Sequence, residues 1–117
     1  MAEPSEPDPR TLREAFHEAL RLYRDGWSPE RPEHPMVNIK GKDYTIREVC
    51  ERMAGIDDRM DDDVEGDLSS EIDEAGDMNL KSEFAKNRSY ATGAQCLLKL
   101  MDRRERDYQH IQPRTEI

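Results

Sequence analysis

Residues 57–77 read DDRMDDDVEGDLSSEIDEAGD, eleven carboxylates against one arginine. Carboxylates at alternate positions, followed by a glycine and a hydroxyl, are the donors of a calcium loop. Counted from Asp61, the chain places Asp61, Asp63, Glu65, Gly66 and Ser69 at loop positions 1, 3, 5, 6 and 9. Leu68 falls at the usual apolar position 8. The twelfth position should carry a bidentate glutamate, but it is Ile72, and Glu71 comes one residue early. On an exiting helix that shift turns the side chain away by about 100°. The set Asp61, Asp63, Glu65 and Ser69 therefore stands only as an alternative cation-binding switch, and no metal is expected.

A simpler pattern accounts for the same letters. Val64, Leu68, Ile72 and Ala75 recur at i, i+4, i+8 and i+11, an apolar stripe along one helix. Asp61, Asp62 and Asp63 then fall at its N-terminus, where carboxylates cap free N–H groups and suit the helix dipole. Elsewhere, Glu14-x-x-His17 has the spacing of a di-iron bundle ligand pair. With Leu12 as reference, however, both residues turn away from the apolar face of their helix. Asp107-x-x-His110 lies at a fraying end, and His34 sits between prolines. No GxSxG, Gly-rich phosphate loop or Cys/His pairing cue is present, so the chain is not expected to be an enzyme or to hold a cofactor. Cys50 and Cys96 read as reduced helix residues.

The segment YTIREVCERM (residues 44–53) resembles the opening helix of small helix-turn-helix proteins of the excisionase and MerR type. That resemblance covers about ten residues and implies a basic or hydroxyl-rich recognition helix after a short turn. The next residues of this chain are instead AGIDDRMDDDVEGDL, which repel a phosphate backbone.

Charge points the same way. The chain carries a formal net charge of −9, and residues 57–77 alone contribute 1 − 11 = −10. The rest is close to neutral, so all the excess charge lies in one place. Such a segment is expected to avoid nucleic acid and anionic membrane and to attract basic surfaces. The expectation is a small acidic regulator or inhibitor, a nucleic-acid mimic that docks on a basic, nucleic-acid-binding protein. The candidate contact residues are Asp57, Asp58, Asp61, Asp62, Asp63, Asp67 and Asp73. A further alternative is a structural module that forms a homodimer through the Tyr90–Met101 stripe of the last helix. Neither a signal-like leader nor a membrane-length apolar run is seen, so a cytoplasmic location is expected.

The elements that must position these residues can be read from period and punctuation. Nineteen Leu, Ile, Val and Phe in 117 residues is a thin supply, but it is patterned. The expected fold is mainly α, a small four-helix domain with one β-hairpin at about 37–46 between the first and second helices. Residues 1–8 and 109–117 read as disordered tails around a single domain at 9–108. The first helix, near 9–25, has Asp8 or Thr11 as its cap and Pro9 in its first turn, and it buries Leu12, Ala15, Phe16, Ala19, Leu20 and Tyr23. Gly26 is expected in the left-handed position that ends it. SPERPEHP (28–35) is a stiff connector. The hairpin is expected to turn at Gly41-Lys42, pairing Ile39 with Tyr44, Val37 with Ile46 and Lys40 with Asp43. A Thr45-x-x-Glu48 capping box opens a helix to about Gly55. Helices near 62–75 and 80–106 complete the chain, and Gly93 inside the last one predicts a close crossing.

Overall fold

The computed structural model describes residues 8–111, with side chains through residue 109, and it is mainly helical. The element order is α1 (Pro9–Asp25), β1 (Met36–Ile39), β2 (Lys42–Thr45), α2 (Ile46–Arg52), α3 (Asp62–Ala75), α4 (Met78–Lys86) and α5 (Tyr90–Ile111). Residues 109–111 thus continue a helix rather than begin a tail. Of the tails expected at 1–8 and 109–117, residues 1–7 and 112–117 lie outside the described residues.

Helix α1 starts where its sequence says it should. The Asp8 carboxylate accepts from the Thr11 N–H at 2.8 Å, and Pro9 occupies the first turn. Its six expected core residues are all buried. The end differs from expectation, because Gly26 has φ −149° and is not left-handed. Instead the Gly26 and Trp27 N–H groups both donate to the Leu22 carbonyl, at 2.9 and 3.0 Å. Trp27 is thereby brought against Tyr23, ring centroids 5.4 Å apart. Its indole N–H donates to the Pro32 carbonyl at 3.1 Å, which ties down the connector.

The hairpin forms, but its register is shifted by two residues. Met36 faces Thr45, Val37 faces Tyr44, Asn38 faces Asp43 and Ile39 faces Lys42. The two-residue turn is Lys40-Gly41, with φ of 52° and 88°. Positive φ at both positions makes this a type I′ turn where a glycine-first type II′ turn was expected at 41–42; both suit the strand twist, and the Asn38 side chain favours the observed one. The Asn38 carbonyl oxygen accepts from the Gly41 N–H at 3.1 Å, and its amide donates to Asp43 at 2.8 Å. A shift of this size keeps every side chain on its own face, so the apolar alternation is the same in either register.

Helix α2 opens with the expected reciprocal capping box. Thr45 Oγ1 accepts from the Glu48 N–H at 3.0 Å, and Glu48 Oε1 accepts from the Thr45 N–H at 2.9 Å. The helix ends at Arg52, three residues before Gly55. Helix α3 spans the expected residues, and Gly76 closes it in the left-handed region at φ 69°.

The expected helix at 80–106 is two helices, making five in all among the described residues. Asn87 is extended, and its side chain accepts from the Ser89 N–H. Ser89 Oγ in turn accepts from the Thr92 N–H, so α5 has its own cap. The break gives the α2–α3 loop a place to dock. The Tyr90 and Ala91 N–H groups donate to the carbonyls of Asp58 and Ile56, both at 2.9 Å, and the Met60 N–H donates to Arg88 O at 2.8 Å. Carbonyls of the acidic loop thus occupy the free donors at the start of α5.

One core joins all the elements. Gly93 lies where the loop and α3 cross α5, as its position predicted. A Cβ built there would stand 2.1 Å from Met60 Cε and 3.2 Å from Leu68 Cδ2. Tyr90, Ala94, Leu97 and Met101 are buried in the same core. The stripe named for a homodimer is therefore already covered within one chain. Cys50 and Cys96 are buried free thiols. Burial pushes both thiols up, that of Cys96 to about 12. No described helix is long and apolar enough to cross a membrane.

Candidate interaction surface

Helix α3 carries the acidic segment, and its buried side is Val64, Leu68 and Ile72. At about 100° per residue, Asp62, Asp63, Asp73 and Glu74 fall opposite that stripe. Asp67 and Glu71 fall on one flank, and Glu65 on the other. Because 62–75 is a continuous helix, no calcium-type loop exists at 61–72. Its four alternative ligands point to different neighbours. Asp61 faces His17 on α1, Glu65 faces arginines, Ser69 faces the α3–α4 groove, and Asp63 faces outward. Among the described residues, no group of three or more His, Cys, Asp or Glu is placed to hold a metal ion.

Both flanks are held by cations of the chain itself. Arg24 of α1 meets Asp67 at 2.8 Å and Glu71 at 2.9 Å. Its bond to Glu71 raises the Arg24 guanidinium above its ordinary value. On the other side Glu65, only 15% exposed, is paired with Arg88 and lies 3.4 Å from Arg59. Arg88 is steadied by the Phe84 ring, 5.5 Å from its guanidinium carbon. Lys81 stands 3.6 Å from Asp73, and Arg103 stands 3.7 Å from Asp77.

The loop before α3 is pinned in the same manner. Arg13 donates to Asp58 at 2.7 Å. Asp61 occupies the N-cap position without a side-chain cap bond, contrary to expectation. Its carboxylate lies 3.5 Å from His17 Nε2, which is 2.7 Å from the Tyr90 hydroxyl. His17 stacks on Tyr90 at 5.9 Å and is half-buried. It therefore does not face away from the protein, because the loop and α5 cover a flank that the apolar stripe of α1 does not mark. Glu14 remains exposed and, among the described residues, meets Arg10 alone, at 3.9 Å. Burial raises the Tyr90 phenol.

The seven expected contact residues thus divide. Asp58, Asp67 and Asp73 are paired with Arg or Lys, and Asp61 lies against His17, a cation only when protonated. Asp57, Asp62 and Asp63 are exposed and have none among the described residues. Glu74, which sequence reasoning passed over, belongs with these three. Its place on the helical wheel of α3 was a sufficient signal. The counterions of the other carboxylates were not readable, since Arg13, Arg24 and Arg88 lie 45, 47 and 23 residues from Asp58, Glu71 and Glu65.

The chain matches no known family, and comparison with characterised proteins and with solved structures finds no significant relative.

Proposed function

We propose that this chain is a non-catalytic interaction protein, a regulator or inhibitor whose α3 outer face docks on a basic surface of the kind that binds nucleic acid. The observation that carries the reading is the division of the acidic segment. Asp57, Asp62, Asp63 and Glu74 are exposed and unspent, while the remaining carboxylates anchor α3 to α1, α4 and α5. Charge left free on an anchored helix costs a partner little reorganisation. Contact therefore falls to Asp57, Asp62, Asp63 and Glu74, with Asp73 able to exchange Lys81 for a partner's arginine. Asp58, Asp61 and Asp67 supply long-range attraction but hold the fold first.

The test is affinity capture from native cell extract at low and high salt, followed by titration of the captured protein. Wild type is compared with Asp62→Lys/Asp63→Lys. The reading expects binding that weakens with salt and is lost on charge reversal, with the fold retained and the melting temperature lowered only by the helix-dipole contribution of the two carboxylates. A partner that binds the variant as tightly as wild type, at either salt, would falsify it.

A further inference from the structure

A second feature lies beside this face, where the C-terminal ends of α1 and α3 meet the middle of α5. A cleft of about 420 Å³ opens there. That volume is in the range of built ligand sites. Its floor is apolar, made by the ring of Tyr23, by Leu100 and by Ala75, with Tyr23 and Leu100 only 3% and 2% exposed. Six charged groups ring it. Three are already spent, because Arg24 bonds Glu71 and Arg103 faces Asp77. The other three are Glu74 on α3 and Asp107 and Arg104 on α5, none of them in an ion pair among the described residues.

Arg104 lies against two aromatic rings rather than in an ion pair among the described residues. Its guanidinium carbon lies 5.4 Å from the Tyr23 ring centre and 5.0 Å from that of Trp27. Its N–H groups, outside any ion pair among the described residues, can meet an oxygen acceptor. The unspent charges sum to −1 around an apolar floor. This is the complement of one long cationic side chain whose methylenes need cover and whose head needs carboxylates.

We infer that the cleft seats an arginine side chain from a basic segment of the partner. Its stem lies over Tyr23, Ala75 and Leu100, its guanidinium reaches Glu74 and Asp107, and a backbone carbonyl of the same segment meets Arg104. The inference rests on the docking reading and gives it an anchor point. The outer face of α3 attracts, and the cleft holds.

The probe is a short alternating Gly–Arg peptide, with a Gly–citrulline peptide of equal length as the uncharged counterpart. Binding to the full chain is followed by chemical shifts of the Ala75 and Leu100 methyl groups and by calorimetry. The expected result is saturable movement of both methyl signals with the arginine peptide and none with citrulline. Asp107→Asn, off the docking face, should lower affinity roughly tenfold and leave the salt dependence in place. Asp62→Asn/Asp63→Asn should lower affinity and also flatten the salt dependence. Binding that responds to the second variant but not to Asp107→Asn, with still methyl signals, overturns the cleft and spares the docking face. Binding that responds only to Asp107→Asn upholds the cleft and overturns the face. Equal binding of the citrulline peptide, or no binding of either, overturns the cleft.

Discussion

Substituting Gly93 tests how the acidic segment is fastened to the core. In an open helix interior, Gly→Ala gains about 1 kcal/mol of helix propensity. Here the new methyl would stand 2.1 Å from Met60 Cε and 3.2 Å from Leu68 Cδ2. Met60 is one of two buried residues between α2 and α3, 2% exposed, so its terminal methyl can yield only into the core. Overpacking of this kind costs about 1–3 kcal/mol. The net expectation for Gly93→Ala is a loss of about 1 kcal/mol. Met60→Ala alone should cost about 2–4 kcal/mol through the cavity it leaves. In that background the Gly93 methyl enters vacated space, and the sign should reverse to a gain of about 1 kcal/mol. Urea unfolding of the four proteins in the cycle gives the coupling, expected near about 2 kcal/mol. Additive effects, or stabilisation by Gly93→Ala in the wild-type background, would refute the argument that Met60 and α3 lock onto α5 at this glycine.

Two other outcomes rest on local geometry. Lys40 holds φ 52° in a two-residue turn that favours Asn before Gly. Lys40→Asn should raise stability by about 0.5–1 kcal/mol in thermal melts, and Lys40→Val should lower it. The Asp8 carboxylate is held below its ordinary value by the Thr11 N–H. Its contribution is present above the unfolded pKa, near about 3.9, and is lost as pH falls through the lower folded value. Asp8→Asn keeps a good cap, so melts from neutral to acid pH should show a shallower acid decline. At the other end of the scale, burial raises Tyr23 and Tyr90. The stability each contributes is full below about pH 10 and is lost as pH rises through the raised folded value.

Whatever depends on near neighbours in the chain was legible. The stripes of α1 and α3, the cap at Asp8 and the box at Thr45 and Glu48 are interactions within about one helical turn, which spacing encodes directly. Gly93 could be flagged as a crossing because a helix interior tolerates glycine poorly without a packing reason. The hairpin was legible as a hairpin but not in register. Both registers satisfy the same alternation, and the choice rests on the Asn38 side chain, which bonds across the observed turn. The break before α5 was hidden because Asn87 and Ser89 also suit a helix surface. They become a cap when the loop at 56–60 arrives to bond the freed groups.

For the acidic segment, sequence determined the total charge and the dry side of the helix. Tertiary structure decided which charges remain. Composition sums cations wherever they lie, but a carboxylate is spent only when one comes within a few ångströms. Arg13, Arg24 and Arg88 do so from α1 and from the turn before α5. The eleven carboxylates of residues 57–77 are therefore largely fastenings. Chain folding leaves Asp57, Asp62, Asp63 and Glu74 exposed and without an ion partner among the described residues.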